Sequence, residues 1–169
     1  VHAGFGKTFL GVPTNSSSCL QEAAAVAASL DQSGLDVSLE YDMERILWEK
    51  LAVNASINGL TALLECRNGD ITETSYGREL VGTLCGEVRK VAEAANVRVP
   101  NDLLSNVLSV IGQNAGNISS MHMDIASKRR TEIDYINGFV VKHGALLQVP
   151  TPVNRTIYDL VKMKEGIRL

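Results

Sequence analysis

Residues 43–65, MERILWEKLAVNASINGLTALLE, make a run too long for a strand and read as one helix. Ile46, Val53, Ile57, Leu60 and Leu64 form an apolar stripe along it that can anchor the helix in a core. Beside that stripe stand Lys50, Asn54 and Asn58, four residues apart. At about 100° per residue they fall within an arc of roughly 80°, so all three project from one side. The row reads either as a solvated face or as the lining of a cleft. Asparagine is a mediocre helix former, and two of them on one stripe beside an apolar face weigh towards a cleft more than an arbitrary helix would.

The texture of the chain changes at this helix. Residues 1–12 read as a hairpin around Gly4 and Gly6. SSSCLQEAAAVAASLDQSG reads as a serine-capped helix ending near Gly34, and LDVSLEYD alternates as a strand does. Residues 1–41 are thus β-β-α-β, and everything from Asp42 fits helices. These are expected at Tyr76–Val97, at Asp102 to about Gln113 with Asn101 or Asp102 as cap, within NISSMHMDIASKRR, over TEIDYINGFVVKHGALL, and over TPVNRTIYDLVKMKEG, with proline in its first turn and glycine as its stop. The chain opens on Val1 as though in the middle of a larger protein, and the expectation is a fragment.

With a net charge of −3 and 5% aromatics there is no basic stripe, so nucleic acid is not the expected partner. No apolar run approaches the roughly 20 residues of a membrane helix, and the expected setting is soluble and cytoplasmic. Cys19, Cys66 and Cys85 are odd in number without CxxC spacing, which disfavours a disulfide framework or a zinc site. Sequons at Asn15, Asn54, Asn117 and Asn154 would matter only in a secreted protein.

Other residue types suggest chemistry and then fail on spacing. Gly6-Lys7-Thr8 ends like a P-loop, but Val1 stands where the first glycine belongs and strand follows in place of helix. Gly4-x-Gly6 has Phe9 where a dinucleotide fingerprint needs a small residue. His122 and Asp124 diverge on a helix, so no metal is expected. Asn68-Gly69 reads as a turn or helix C-cap, and Asn117, Ser119 or Ser120 as an N-cap. Glu132 and Asp134 follow Lys128, Arg129 and Arg130, either as a surface ion-pair cluster or with Glu132 turned inward to orient a lysine such as Lys50.

Taken in order, WEKLAVNASINGLTALLECRNG (48–69), NISSMHMDIASKRRTEIDYINGFVV (117–141) and VPTPVNRTIYDLVKMKE (149–165) resemble the ketopantoate reductase, or 2-dehydropantoate 2-reductase, family. HAGFGKTFLG also resembles the hairpin late in that family's nucleotide domain. The resemblance implies a mainly α fold: residues 42–169 as a helical substrate-binding domain of the 6-phosphogluconate dehydrogenase C-terminal type, behind residues 1–41 as the remnant of a Rossmann-type domain. It implies NADPH-dependent reduction of ketopantoate to pantoate on the route to coenzyme A. Lys50 would then be the proton donor, and Asn54, Asn58, Asn68, Asn117 and Ser120 would bind substrate. Glu132 would sit near Lys50 and the nicotinamide ribose. Since the family's glycine-rich loop is absent from these residues, the chain by itself is expected to be inactive. Two alternatives stand beside this: a reductase of another 2-keto acid, and a helical interaction module without chemistry. A homodimer is slightly favoured over a monomer.

Overall fold

The computed structural model describes residues 7–12 and 19–168, the last without its side chain. The expected turn at Gly4 and Gly6 and the capping serines Ser16, Ser17 and Ser18 lie outside the described residues. The chain divides into two compact units between Leu47 and Trp48.

In the first unit β1 (Thr8–Gly11) and β2 (Val37–Glu40) pair in parallel, Thr8 opposite Val37 and Gly11 opposite Glu40. Parallel neighbours need a crossover, and α1 (Leu20–Gln32) supplies it. Gly34, at φ +90°, lets the Leu35 amide turn back to the Leu30 carbonyl and end the helix. No described residue of this unit is fully buried, although α1 is rich in alanine and Val26 is half exposed. A two-stranded sheet with one helix is too thin to make a core of its own.

The second unit is mainly α and holds the hydrophobic core. It comprises most of α2 (Met43–Leu64), then α3 (Asp70–Glu73), α4 (Ser75–Ala94), α5 (Leu103–Gln113), α6 (Ser120–Ala126), α7 (Asn137–Leu146) and α8 (Pro152–Arg168). Val81, Leu84, Cys85, Val88, Val91 and Ala92 make one buried face of α4, against which α5, α7 and α8 pack. In α5, Leu103, Val107 and Ile111 recur every four residues on its buried side. Helix α2 reaches α8 at Gly59, where a Cβ would stand 2.3 Å from the Ile157 side chain, so the two helices meet more closely than any larger residue permits. No helix of the described residues is long and apolar enough to cross a membrane.

Two expectations are corrected. Residues 131–147 are not one helix: a 3₁₀ turn at Ile133–Tyr135 is followed by a break at Ile136 (φ −106°, ψ −96°) before α7 begins. Side chains flanking that turn are tied to α8, and those ties replace the helical ladder. Nor does the last helix stop at Gly166; α8 continues to Arg168. A glycine in a helix costs only about 1 kcal/mol, too little to end a helix already anchored along its length.

Candidate functional site

Along α2 the polar row passes from solvent into the protein. Lys50 is exposed, Asn54 is half-buried, and Asn58 is only 9% exposed. Eight residues of helix carry this row about 12 Å. None of the three side chains forms a hydrogen bond or ion pair with a described residue, although the Asn58 carbonyl accepts from Thr61 Oγ1 at 3.0 Å. The fold therefore leaves two amides and an ammonium uncommitted on one side of one helix.

Two asparagines of the core are instead tied into the fold through their amide nitrogens, although Asn137 Oδ1 is buried without a partner. Asn137 Nδ2 donates to the Ala55 carbonyl and to Asn154 Oδ1, each at 2.9 Å. Asn154 Nδ2 donates to Glu87 Oε2 at 2.8 Å, and the same carboxyl group takes the backbone N–H groups of Val153 and Asn154 at 2.9 Å each. Glu87 thus caps the first turn of α8 from α4, and the chain of bonds reaches α2 one residue after Asn54. Sequence reading missed these three residues. Their one visible signal was an acid, Glu87, standing on the apolar stripe of Leu84, Val88 and Val91.

A second set of candidates gathers beyond the end of α2. The Asn68 N–H donates to the Asn117 carbonyl at 3.0 Å, and Asn68 Nδ2 donates to the Asn114 carbonyl at 3.3 Å. Asn68 Oδ1 is buried and has no hydrogen-bond partner. Asn117 Nδ2 donates to Asn114 Oδ1 at 3.2 Å. Ser119, not Ser120, caps α6, accepting the His122 N–H at 3.1 Å, and its hydroxyl meets Thr61 Oγ1 at 2.7 Å. That contact ties the 117–120 segment to α2 one turn past Asn58 and leaves Ser120 exposed. His122 Nδ1 lies 3.3 Å from the Cys66 carbonyl, and no group of three or more metal-ligating side chains occurs among the described residues.

Glu132 is exposed, and its side chain has no hydrogen bond or ion pair with a described residue, Lys50 included. Its neighbours are held tightly. Glu165 Oε1 accepts both the N–H and the hydroxyl of Thr131 at 2.7 Å, and Asp134 takes Arg130 at 2.9 Å, Tyr158 at 2.9 Å and Lys162 at 3.2 Å. Hydrogen bonding from Arg130, joined by Tyr158 and Lys162 against a smaller cost of burial, brings the Asp134 carboxyl from an ordinary 3.8 down to about 2. Burial pushes Glu165 up, but the bonds from Thr131 and Lys162 outweigh it and its net shift is downward.

A depressed carboxyl pKa stabilises the fold in full above its unfolded value and loses that contribution as pH falls through the folded one. Asp134→Asn is therefore expected to remove on the order of 1 kcal/mol at neutral pH, after discount for partial exposure, and to flatten the loss of stability between about pH 4 and 2. Urea midpoints measured across that range check this; an acid limb identical to wild type would contradict it.

A hollow of about 380 Å³ elsewhere in the helical unit is lined by Leu60, Leu64, Ile71, Tyr76 and Leu80 among others. It contains no cation and none of the candidate polar residues, and so does not suit an anionic substrate.

Residues 42–165 match the family described as ketopantoate reductase PanE/ApbA C terminal. The chain is 43% identical over 144 residues to a 2-dehydropantoate 2-reductase of Pyrobaculum aerophilum, covering 85% of this chain and 52% of that protein. It is 39% identical over 167 residues to one of Yersinia pestis, covering 98% and 53%. The chain spans about half the length of these curated relatives. Among solved structures it is similar to a PanE/ApbA family ketopantoate reductase of Ralstonia eutropha (TM-score 0.88, 28% identity, 99% of this chain and 54% of that one). It is equally similar to D-mandelate dehydrogenase in complex with NADH (TM-score 0.90, 27% identity, 98% and 56%).

Proposed function

From the premise that this chain belongs to the ketopantoate reductase family, we propose that it is the substrate-binding half of a two-domain, NADPH-dependent 2-dehydropantoate 2-reductase of the cytoplasm. Residues 42–169 form its helical domain and residues 1–41 the tail of its nucleotide-binding domain. That no described residue of the first unit is buried supports the latter assignment, because a βαβ segment needs further layers to make a core.

The observation that carries the reading is the uncommitted row on α2, set against Asn137 and Asn154, whose amide nitrogens are bonded within the fold. Amides that the fold does not use are free for a ligand. Asn54 and Asn58, with Asn68, Asn117 and Ser120, offer neutral donors and acceptors for the carboxylate and hydroxyl of ketopantoate, and Lys50 offers the single positive charge in the row. NADPH, when bound, supplies the hydride. As hydride reaches the keto carbon, negative charge grows on its oxygen; the Lys50 ammonium stabilises that charge and then gives up the proton that completes the alcohol. Glu132 is assigned beside Lys50 and the nicotinamide ribose. The residues of this chain contain no dinucleotide fingerprint, so the cofactor's phosphates are assigned to the other domain.

Asn58→Ala is expected to lower kcat/KM for ketopantoate tenfold or more while leaving the melting temperature nearly unchanged, since the side chain bonds to no described residue. Steady-state kinetics beside calorimetry check this. A loss of stability with kinetics intact would make Asn58 a structural residue.

The likeness to D-mandelate dehydrogenase supports a second reading, a reductase of a different 2-keto acid. Its TM-score of 0.90 stands beside 0.88 for the ketopantoate reductase, so the fold does not discriminate between them. The 43% identity to a 2-dehydropantoate 2-reductase against 27% here favours ketopantoate.

A further inference from the structure

Glu132 sits in a segment without regular helix, yet both of its neighbours are buried, Thr131 at 5% exposure and Ile133 at 0%. The turn is fixed by side chains. Thr131 is held twice by Glu165, and its hydroxyl oxygen accepts the Ile133 N–H at 3.2 Å. On the far side Asp134 is held by Tyr158 and Lys162, and Lys162 bridges to Glu165 Oε2 at 2.9 Å. Tyr158, Lys162 and Glu165 are spaced four and three residues apart, and so line one face of α8. The backbone around Glu132 is thus clamped before and after to a single helix, while the Glu132 carboxyl has no partner among the described residues.

We propose that Glu165 and Asp134 are positioning residues which, clamped to α8 through Lys162 and Tyr158, hold the turn that presents the Glu132 carboxyl to the reaction site. This rests on the reductase reading above. Displacement of a reacting group by about 1 Å can cost a hundredfold in rate, so a clamp with no contact to substrate can still govern turnover.

The test is a double-mutant cycle in the two-domain enzyme, with Glu132→Gln, Glu165→Gln and the pair. Glu165→Gln is expected to lower kcat about tenfold with little change in KM, and to add less than twofold to the loss already caused by Glu132→Gln. Multiplying losses, or wild-type kcat in folded Glu165→Gln, would overturn the proposal. Should Glu165→Gln fail to fold, Tyr158→Phe removes one bond to Asp134 and must show the same non-additivity. If folded wild-type enzyme does not reduce ketopantoate, the functional reading has failed. The clamp is then judged by exchange of the Ile133 amide, expected at least tenfold faster in Glu165→Gln and unchanged if the cluster is idle.

Discussion

Lys50→Ala in the two-domain enzyme is expected to lower kcat with ketopantoate by at least about a hundredfold, the usual scale for loss of a positioned proton donor. Melting temperature should not follow, because Lys50 is exposed and pairs with no described residue. Lys50→Arg separates two parts of the role. The guanidinium keeps a positive charge near the developing oxyanion but does not release its proton at working pH. It should recover some binding of substrate and little turnover. Full turnover in Lys50→Ala would remove the proton donor from the proposed mechanism, whatever the substrate.

Glu87→Ala is expected to be the most destabilising change considered. Glu87 is 6% exposed, and its carboxyl group accepts three N–H groups, two of them the first backbone donors of α8. Removing it leaves buried donors without acceptors at about 1–3 kcal/mol each, so a loss of about 3 kcal/mol or more is expected. For a chain of this size that is about 10 °C in melting temperature. Glu87→Gln keeps one acceptor and should lose roughly half as much. A change within about 0.5 kcal/mol, as at an ordinary surface position, would show that the network contributes nothing to the fold.

The long helix was legible because its signal is local: the apolar stripe and the polar row of α2 are both fixed by helical period. The strand at residues 37–40 showed the alternation of a half-buried strand for the same reason. Helix ends were harder to read. Glu65, Asn96, Lys128 and Gln148 all adopt left-handed backbone, with φ between 55° and 62°, where glycine is the usual signal. Each is followed by an amide bonded back five residues, as Val97 to Ala92 and Val149 to Gly144 at 2.9 and 2.8 Å. Among the described residues only Gly34 ends its helix as a glycine in the left-handed conformation. Asp102, expected as a candidate cap, makes no side-chain cap bond.

Roles that depend on partners distant in sequence were not visible. Asn154 read as a sequon and lies wholly buried, because its partners Asn137 and Glu87 come from other helices. The ties of Glu165 to Thr131 and of Tyr158 to Asp134 likewise join residues 34 and 24 positions apart, beyond the reach of any periodicity. Ser119 and Ser120 are adjacent and chemically identical; only the contact with Thr61 separates the cap from the free hydroxyl. The α2 row is the opposite case, since side chains that the fold leaves unbonded show as an unexplained polar pattern on a helix.

The most direct measurement is the fall in NADPH absorbance when the two-domain enzyme is given ketopantoate, beside the same keto acid without its hydroxyl group. A site of asparagines and a serine built to bind that hydroxyl predicts rapid oxidation with ketopantoate and a kcat/KM at least about a hundredfold lower for the analogue. Equal rates, or no ketopantoate turnover from a folded, NADPH-binding enzyme, would contradict the assignment.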